Sequence, residues 1–120
     1  MLGIARTDGV QEVAWIVDKV LGLRIFQDAE DKMNLSVRDA GGDVLVVSQF
    51  TLYGDARKGR RPSFIGAAQG DFAEGLYRSV LAGFRDEGVT CEAGVFGASM
   101  NVSLVNEGPV TILLDSAKTF

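Results

Sequence analysis

The run VLVVSQF, Val44 to Phe50, constrains the fold more than any other stretch. Four successive apolar residues leave the strand no polar face, so it reads as a central strand covered on both sides. Two amphipathic segments are available to cover it. Val10, Val13, Ala14, Val17, Val20 and Leu21 recur at helical spacing after a capping Asp8, and Gly22 ends that helix. Phe72, Leu76, Val80 and Phe84 do the same in a helix predicted from Asp71 to Glu87, stopped by Gly88. LRIF (23–26) reads as a short strand, QDAEDKMN as a polar excursion and AGGD as a turn. Three further runs, VTCEAGVF, MNVSLVN and VTILLD, read as strands, the last two joined by EGP. The order predicts an α/β domain spanning 1–120, with a mixed or antiparallel sheet and two helices.

Composition removes whole classes of chemistry. The chain has no histidine and one cysteine, Cys91. Ser-His and Cys-His nucleophile systems are excluded, as are zinc sites with histidine ligands or a thiolate cluster. No metal and no cofactor is expected. Carboxylates, hydroxyls, backbone groups or the substrate itself must carry any reaction. No apolar stretch approaches the ~20 residues that span a bilayer, and MLGIARTDG lacks the apolar core of a signal peptide. A cytoplasmic location without membrane contact is expected.

Three stretches carry polar chemistry. SQFTLYGD (48–55) puts hydroxyls, an amide and a tyrosine at the end of the central strand, where small-molecule sites in α/β proteins often lie. Peptide N–H groups from Gln49 to Tyr53 could converge there as an oxyanion hole; a satisfied strand end is the plain alternative. NEGPVT (106–111) reads first as a turn, though a Gly108-Pro109 bond can adopt the cis form at modest cost. ARKGRRPSF (56–64) holds Arg57, Lys58, Arg60 and Arg61 within five positions of a chain whose net charge is −4. A charge run is usually a solvated loop. Here it is one-signed, carries Gly59, and follows the polar cluster at once, as a phosphate contact beside a reaction site would.

SQFTLYGD, RKGRRPSF and SLVNEGPVT, in this order and spacing, resemble the D-aminoacyl-tRNA deacylases, and LRIFQDAEDKMN and GVFGASMNVSL are similar to the same family. The likeness runs from about Gly3 to Ser116. It implies a deacylase-like fold with a barrel-like sheet. It also implies that about thirty residues, two strands and the start of a third, precede the segment matching LGI in family members. Met1 then falls inside that third strand, and the 120-residue chain is expected to lack those strands.

The resemblance further implies hydrolysis of the ester joining a D-amino acid to the 3′-terminal adenosine of tRNA, a chiral proofreading step that extends to mischarged glycyl-tRNA. Ser48, Gln49, Phe50 and Thr51 would form the catalytic floor. Backbone N–H groups around Phe50 and Thr51 would hold the oxyanion, and the ribose 2′-hydroxyl would assist the attacking water. A Thr51 hydroxyl nucleophile ranks second, because it lacks a visible base. Gly108 and Pro109 would be cis, enter the partner's active site in a homodimer and reject L-residues sterically. Met100 would line the substrate side, and Arg57, Lys58, Arg60 and Arg61 would bind tRNA. The alternative is a non-catalytic tRNA-binding or editing-accessory domain of the same fold.

Overall fold

The computed structural model describes residues 1–120. Helix α1 spans Val10–Gly22 and helix α2 spans Gly70–Asp86. Between them lie strands β1 (Phe26–Gln27), β2 (Met33–Leu35) and β3 (Val44–Val46), and β4 (Cys91–Ala93) follows α2. The helices form where apolar spacing predicts them, but their ends differ in detail. Gly9 caps α1, with its N–H donating to Glu12 Oε2 at 2.8 Å. Asp8, the expected cap, instead accepts the Ala5 N–H at 2.7 Å. At the far end of α2, Gly88 takes a φ of +78° that only glycine adopts freely. This turn lets Val89 N–H reach back to Phe84 O at 3.2 Å, the closure that ends many helices.

The core lies between the two helices and the β3–β4 pair. Val17 and Leu21 of α1 pack with Val80 and Phe84 of α2, over Val46 and Cys91. The buried face of α2 is wider than the expected one, which holds at Val80 and Phe84 and partly at Leu76. Ala73, Tyr77 and Leu81 join Val80 and Phe84, while Phe72 stays half exposed in the first turn. Tyr77 is buried because its hydroxyl has somewhere to go: it donates to Val46 O at 3.0 Å, tying α2 to β3.

The sheet is smaller than the sequence implies. β3 pairs in parallel with β4, and β1 pairs antiparallel with β2, as two separate two-stranded sheets. No closed or barrel-like sheet forms. Leu45 is 59% exposed, so β3 is covered on one face and not on both. Leu2 makes an isolated parallel bridge to Ser48, beside the end of β3.

MNVSLVN and VTILLD are not strands in this chain. They have no regular secondary structure and no backbone ladder, leaving Leu104, Val105 and Leu113 exposed. The turn between them explains why. Asn106 Oδ1, not a main-chain carbonyl, accepts the Val110 N–H at 3.1 Å, and Pro109 has no N–H to offer. The first rungs of a hairpin are therefore never laid, and an isolated two-stranded hairpin is marginal in water.

Gly83 sits where α1 and α2 meet. A β-carbon there would lie 2.8 Å from Val17 Cγ2, and a valine in a helix has little rotamer freedom to retreat. Gly→Ala inside a helix normally gains about 1 kcal/mol. Here Gly83→Ala should instead lower the melting temperature. Gly83→Ala combined with Val17→Ala should recover part of the loss relative to Val17→Ala alone, measured as a coupling in a thermal double-mutant cycle.

Candidate active site

The end of β3 is held by main-chain bonds to the first residues. Leu2 N–H donates to Val47 O and Gln49 N–H donates to Leu2 O, each at 2.8 Å. The ladder then stops. Phe50–Tyr53 winds into one 3₁₀ turn, with Leu52 N–H bonded to Gln49 O at 3.3 Å and Gly54 N–H bonded to Thr51 O at 3.0 Å. The first N–H groups of such a turn have no partner within it. Those of Phe50 and Thr51 donate to no group in the protein. Two adjacent free donors at an exposed strand end are what an oxyanion hole requires.

The side chains around these donors are not an acid–base pair. Gln49 Nε2 donates to Thr51 Oγ1, which occupies a lone pair of the hydroxyl and makes it a poorer nucleophile. Tyr53 packs against Gly3, where a β-carbon would stand 3.0 Å from its ring. Burial, with Asp8 and Asp115 nearby, pushes the Tyr53 phenol above its ordinary value, so it is neutral at pH 7. Burial also pushes the Cys91 thiol up, which removes it as a thiolate.

Met100 reaches the same end of the β3–β4 pair. Its sulfur lies against Gly94, 2.6 Å from where a β-carbon would sit, and that point is 3.8 Å from Val47 Cγ1. A glycine at 94 is thus the condition for Met100 to lie there. Phe50, 54% exposed, meets Phe64 edge to face with ring centroids 5.1 Å apart. Phe64 follows the basic loop, so the cations and the free N–H groups are joined through this aromatic contact.

Asp55 and Ser63 close the base of that loop by a main-chain bridge. Arg57 is folded back on Asp55, its Nη2 at 2.6 Å from the carboxylate. Lys58, Arg60 and Arg61 are exposed and enter no ion pair.

The Gly108-Pro109 turn differs from expectation. The chain contains no cis peptide bond, so this one is trans. The turn is exposed, and its hydrogen bonds are local, from Asn106 to Val110 and Thr111. Nothing packs on it to offset the trans preference of about 0.5 to 1 kcal/mol. Sequence reasoning also missed Leu2, Phe64 and Asp55. Leu2 acts through its backbone, which no residue type reveals. Asp55 lies two residues before the basic run and Phe64 three after it, and that flanking was the available signal.

The model of the D-Tyr-tRNA(Tyr) deacylase family matches residues 1–115. The whole chain is 53% identical to a D-aminoacyl-tRNA deacylase of Clostridium botulinum and 57% identical to one of Koribacter versatilis, covering 80% of each. Among solved structures it is similar to a c-Myc DNA unwinding element binding protein, at 41% identity and a TM-score of 0.88, over 96% of this chain and 78% of that one. It also shares its fold with a probable eukaryotic D-amino acid tRNA deacylase at 20% identity and a TM-score of 0.64, over 81% of this chain and 73% of that one.

The Asp55 carboxyl should titrate far from its ordinary 3.8. Hydrogen bonds from the Arg57 side chain, and then from its backbone, hold it down to about 2. A depressed carboxyl contributes stability above its unfolded value, and loses it as pH falls through the folded one. The Asp55–Arg57 pair should therefore persist at neutral pH and break between about pH 4 and 2. Carbon-detected NMR titration should place the midpoint near the lower figure, and Arg57→Gln should return it toward 3.8.

Proposed function

The chain belongs to the D-Tyr-tRNA(Tyr) deacylase family, and from that membership we propose that it hydrolyses the ester of D-aminoacyl-tRNA at the Gln49–Thr51 turn. The products are a free D-amino acid and tRNA. One observation carries the assignment of the site: the unpartnered N–H groups of Phe50 and Thr51 at the exposed end of β3.

The chemistry needs no protein base. Water attacks the ester carbonyl carbon, and the carbonyl oxygen becomes an oxyanion that accepts from the Phe50 and Thr51 N–H groups. One such donor contributes roughly 3 to 4 kcal/mol in the transition state. The bond to the ribose 3′-oxygen then breaks, and the proton lost by water is returned to that oxygen. The neighbouring 2′-hydroxyl is placed to position the water and relay the proton. Gln49 supports this assignment, because its amide engages the Thr51 hydroxyl and leaves the backbone as the working group. Ser48 belongs to the floor through its bridge to Leu2, and Met100 to the wall beside it.

Selection between D- and L-residues is assigned to Gly108 and Pro109 of a second copy, entering the site in a homodimer. The exposed apolar arms on either side of the turn support this reading: Val105 is 91% exposed and Leu113 69%. A turn that crowds the α-carbon rejects an L-residue by its β-carbon and admits a D-residue, so side-chain identity matters little. Glycine passes as well, which extends the substrate set to glycyl-tRNA. The basic loop meets tRNA phosphates. No helix is long and apolar enough to cross a membrane, and a cytoplasmic location belongs to the same reading.

Purified protein should release D-tyrosine from D-tyrosyl-tRNA much faster than L-tyrosine from its L-counterpart. Release of neither would leave a non-catalytic tRNA-binding domain. Thr51→Ala should keep deacylation within about tenfold, the cost of roughly one hydrogen bond. A covalent aminoacyl-protein trapped in the parent and absent from the variant would instead make Thr51 the nucleophile.

Pro109→Ala should lower the ratio of D- to L-aminoacyl-tRNA hydrolysis while leaving tRNA affinity unchanged. An unchanged ratio would remove the turn from stereochemical selection.

A further inference from the structure

The loop between Asp55 and Ser63 is a closed unit. Asp55 N–H donates to Ser63 O at 2.8 Å, and Ser63 N–H donates to Asp55 O at 2.9 Å. Inside it the Asp55 carboxylate collects three donors from one residue. The Arg57 backbone N–H lies at 3.0 Å, its Nε at 2.8 Å and its Nη2 at 2.6 Å. The contact is bidentate through the guanidinium fork, the strong form of an ion pair, with both donors of one edge engaged. Lys58, Arg60 and Arg61 have no acidic partner.

We infer that Asp55 withholds Arg57 from the phosphate-binding set, so that the loop meets the tRNA backbone with three cations and Arg57 serves as a positioning residue. The inference rests on the tRNA-binding reading of the loop. An exposed ion pair is ordinarily weak, because it must order two long side chains. This one differs in its tether. The carboxylate is two residues from the guanidinium and also holds the Arg57 backbone N–H, so the turn that brings the two groups together is already formed. A phosphate that approaches the Nε–Nη2 edge must displace the carboxylate, and at any other edge it meets a cation whose charge Asp55 already offsets, whereas the other three cations carry no such partner. The pair also gives the loop a defined shape at its start, beside Phe64 and the Gln49–Thr51 turn.

Counterion release makes the number of phosphate contacts measurable, because each contact adds about 0.7 to 0.9 to the slope of log affinity against log salt. The 120-residue chain and deacylated tRNA, titrated from about 50 to 200 mM salt, provide the test. Lys58→Gln and Arg60→Gln should each make the slope shallower by about one contact. Asp55→Asn should make it steeper by about one contact, as Arg57 is released. Asp55→Asn combined with Arg57→Gln should return to the parental slope, since the pair is removed as a neutral unit. Circular dichroism melting of each variant separates loop effects from loss of fold, and the double variant keeps the test decisive if Asp55→Asn alone loosens the loop.

A double variant as shallow as Lys58→Gln would show Arg57 on a phosphate and overturn the inference, as would an unchanged slope in Asp55→Asn. If Lys58→Gln and Arg60→Gln also keep the parental slope, the loop does not meet tRNA and the broader reading falls with it.

Discussion

The structure depends on where one ladder stops. Leu2 holds Val47 and Gln49 by two backbone bonds, and one residue later the chain turns into the 3₁₀ helix. Had β3 continued, the N–H groups of Phe50 and Thr51 would belong to a sheet. Because the turn begins there, they face outward with no partner. An unpaired buried N–H is costly, but an exposed one is satisfied by water until a substrate oxygen replaces it. The core serves this arrangement. Tyr77 ties α2 to Val46, and Val17 and Phe84 pack beneath, so the strand is anchored four residues before Phe50, the first proposed donor.

What the sequence made legible follows the range of the forces involved. Both helices were readable, because periodicity and a terminal Gly88 are local signals. The buried face of α2 is only partly legible: Val80 and Phe84 lie in the core and Leu76 packs beside it, as the spacing predicts, but Ala73, Tyr77 and Leu81 are not foreseen. Phe72 fits the helical spacing, yet it sits in the first turn, half exposed, while Ala73 and Tyr77 take the core positions. Side-chain size cannot reveal that a tyrosine has a carbonyl waiting for its hydroxyl. The sheet was overread for a similar reason. MNVSLVN and VTILLD have strand composition, but a strand needs a partner, and the Asn106 side chain diverts the bond that would have begun a hairpin. The residues of the candidate site were legible as motifs, while the backbone geometry that gives them a role was not.

Charge shows the same contrast between global and local quantities. A net charge of −4 argues against a polyanionic partner, yet binding is decided by the local field. Four cations within five residues reverse it over one loop. Even that count is too coarse, because Asp55 lies outside the run and neutralises its first member. Asp55, two residues before the first cation, thus changes the local charge that a count of the run alone would give.

Backbone catalysis also bears on which changes the site tolerates. A side-chain base can be lost by one substitution, whereas a peptide N–H is present whatever residue occupies the position. The vulnerable elements are those that set backbone direction. Gly3 admits the Tyr53 ring, and Gly94 admits the Met100 sulfur. A β-carbon at Gly3 would press on the Tyr53 ring and stand 3.2 Å from Gln49 O at the strand end, whereas one at Gly94 would displace the flexible Met100 side chain. Oxyanion donors act only near 2.7 to 3.1 Å from the developing charge. In the proposed mechanism Gly3, which touches no substrate, therefore matters alongside Thr51, whose hydroxyl is engaged by Gln49.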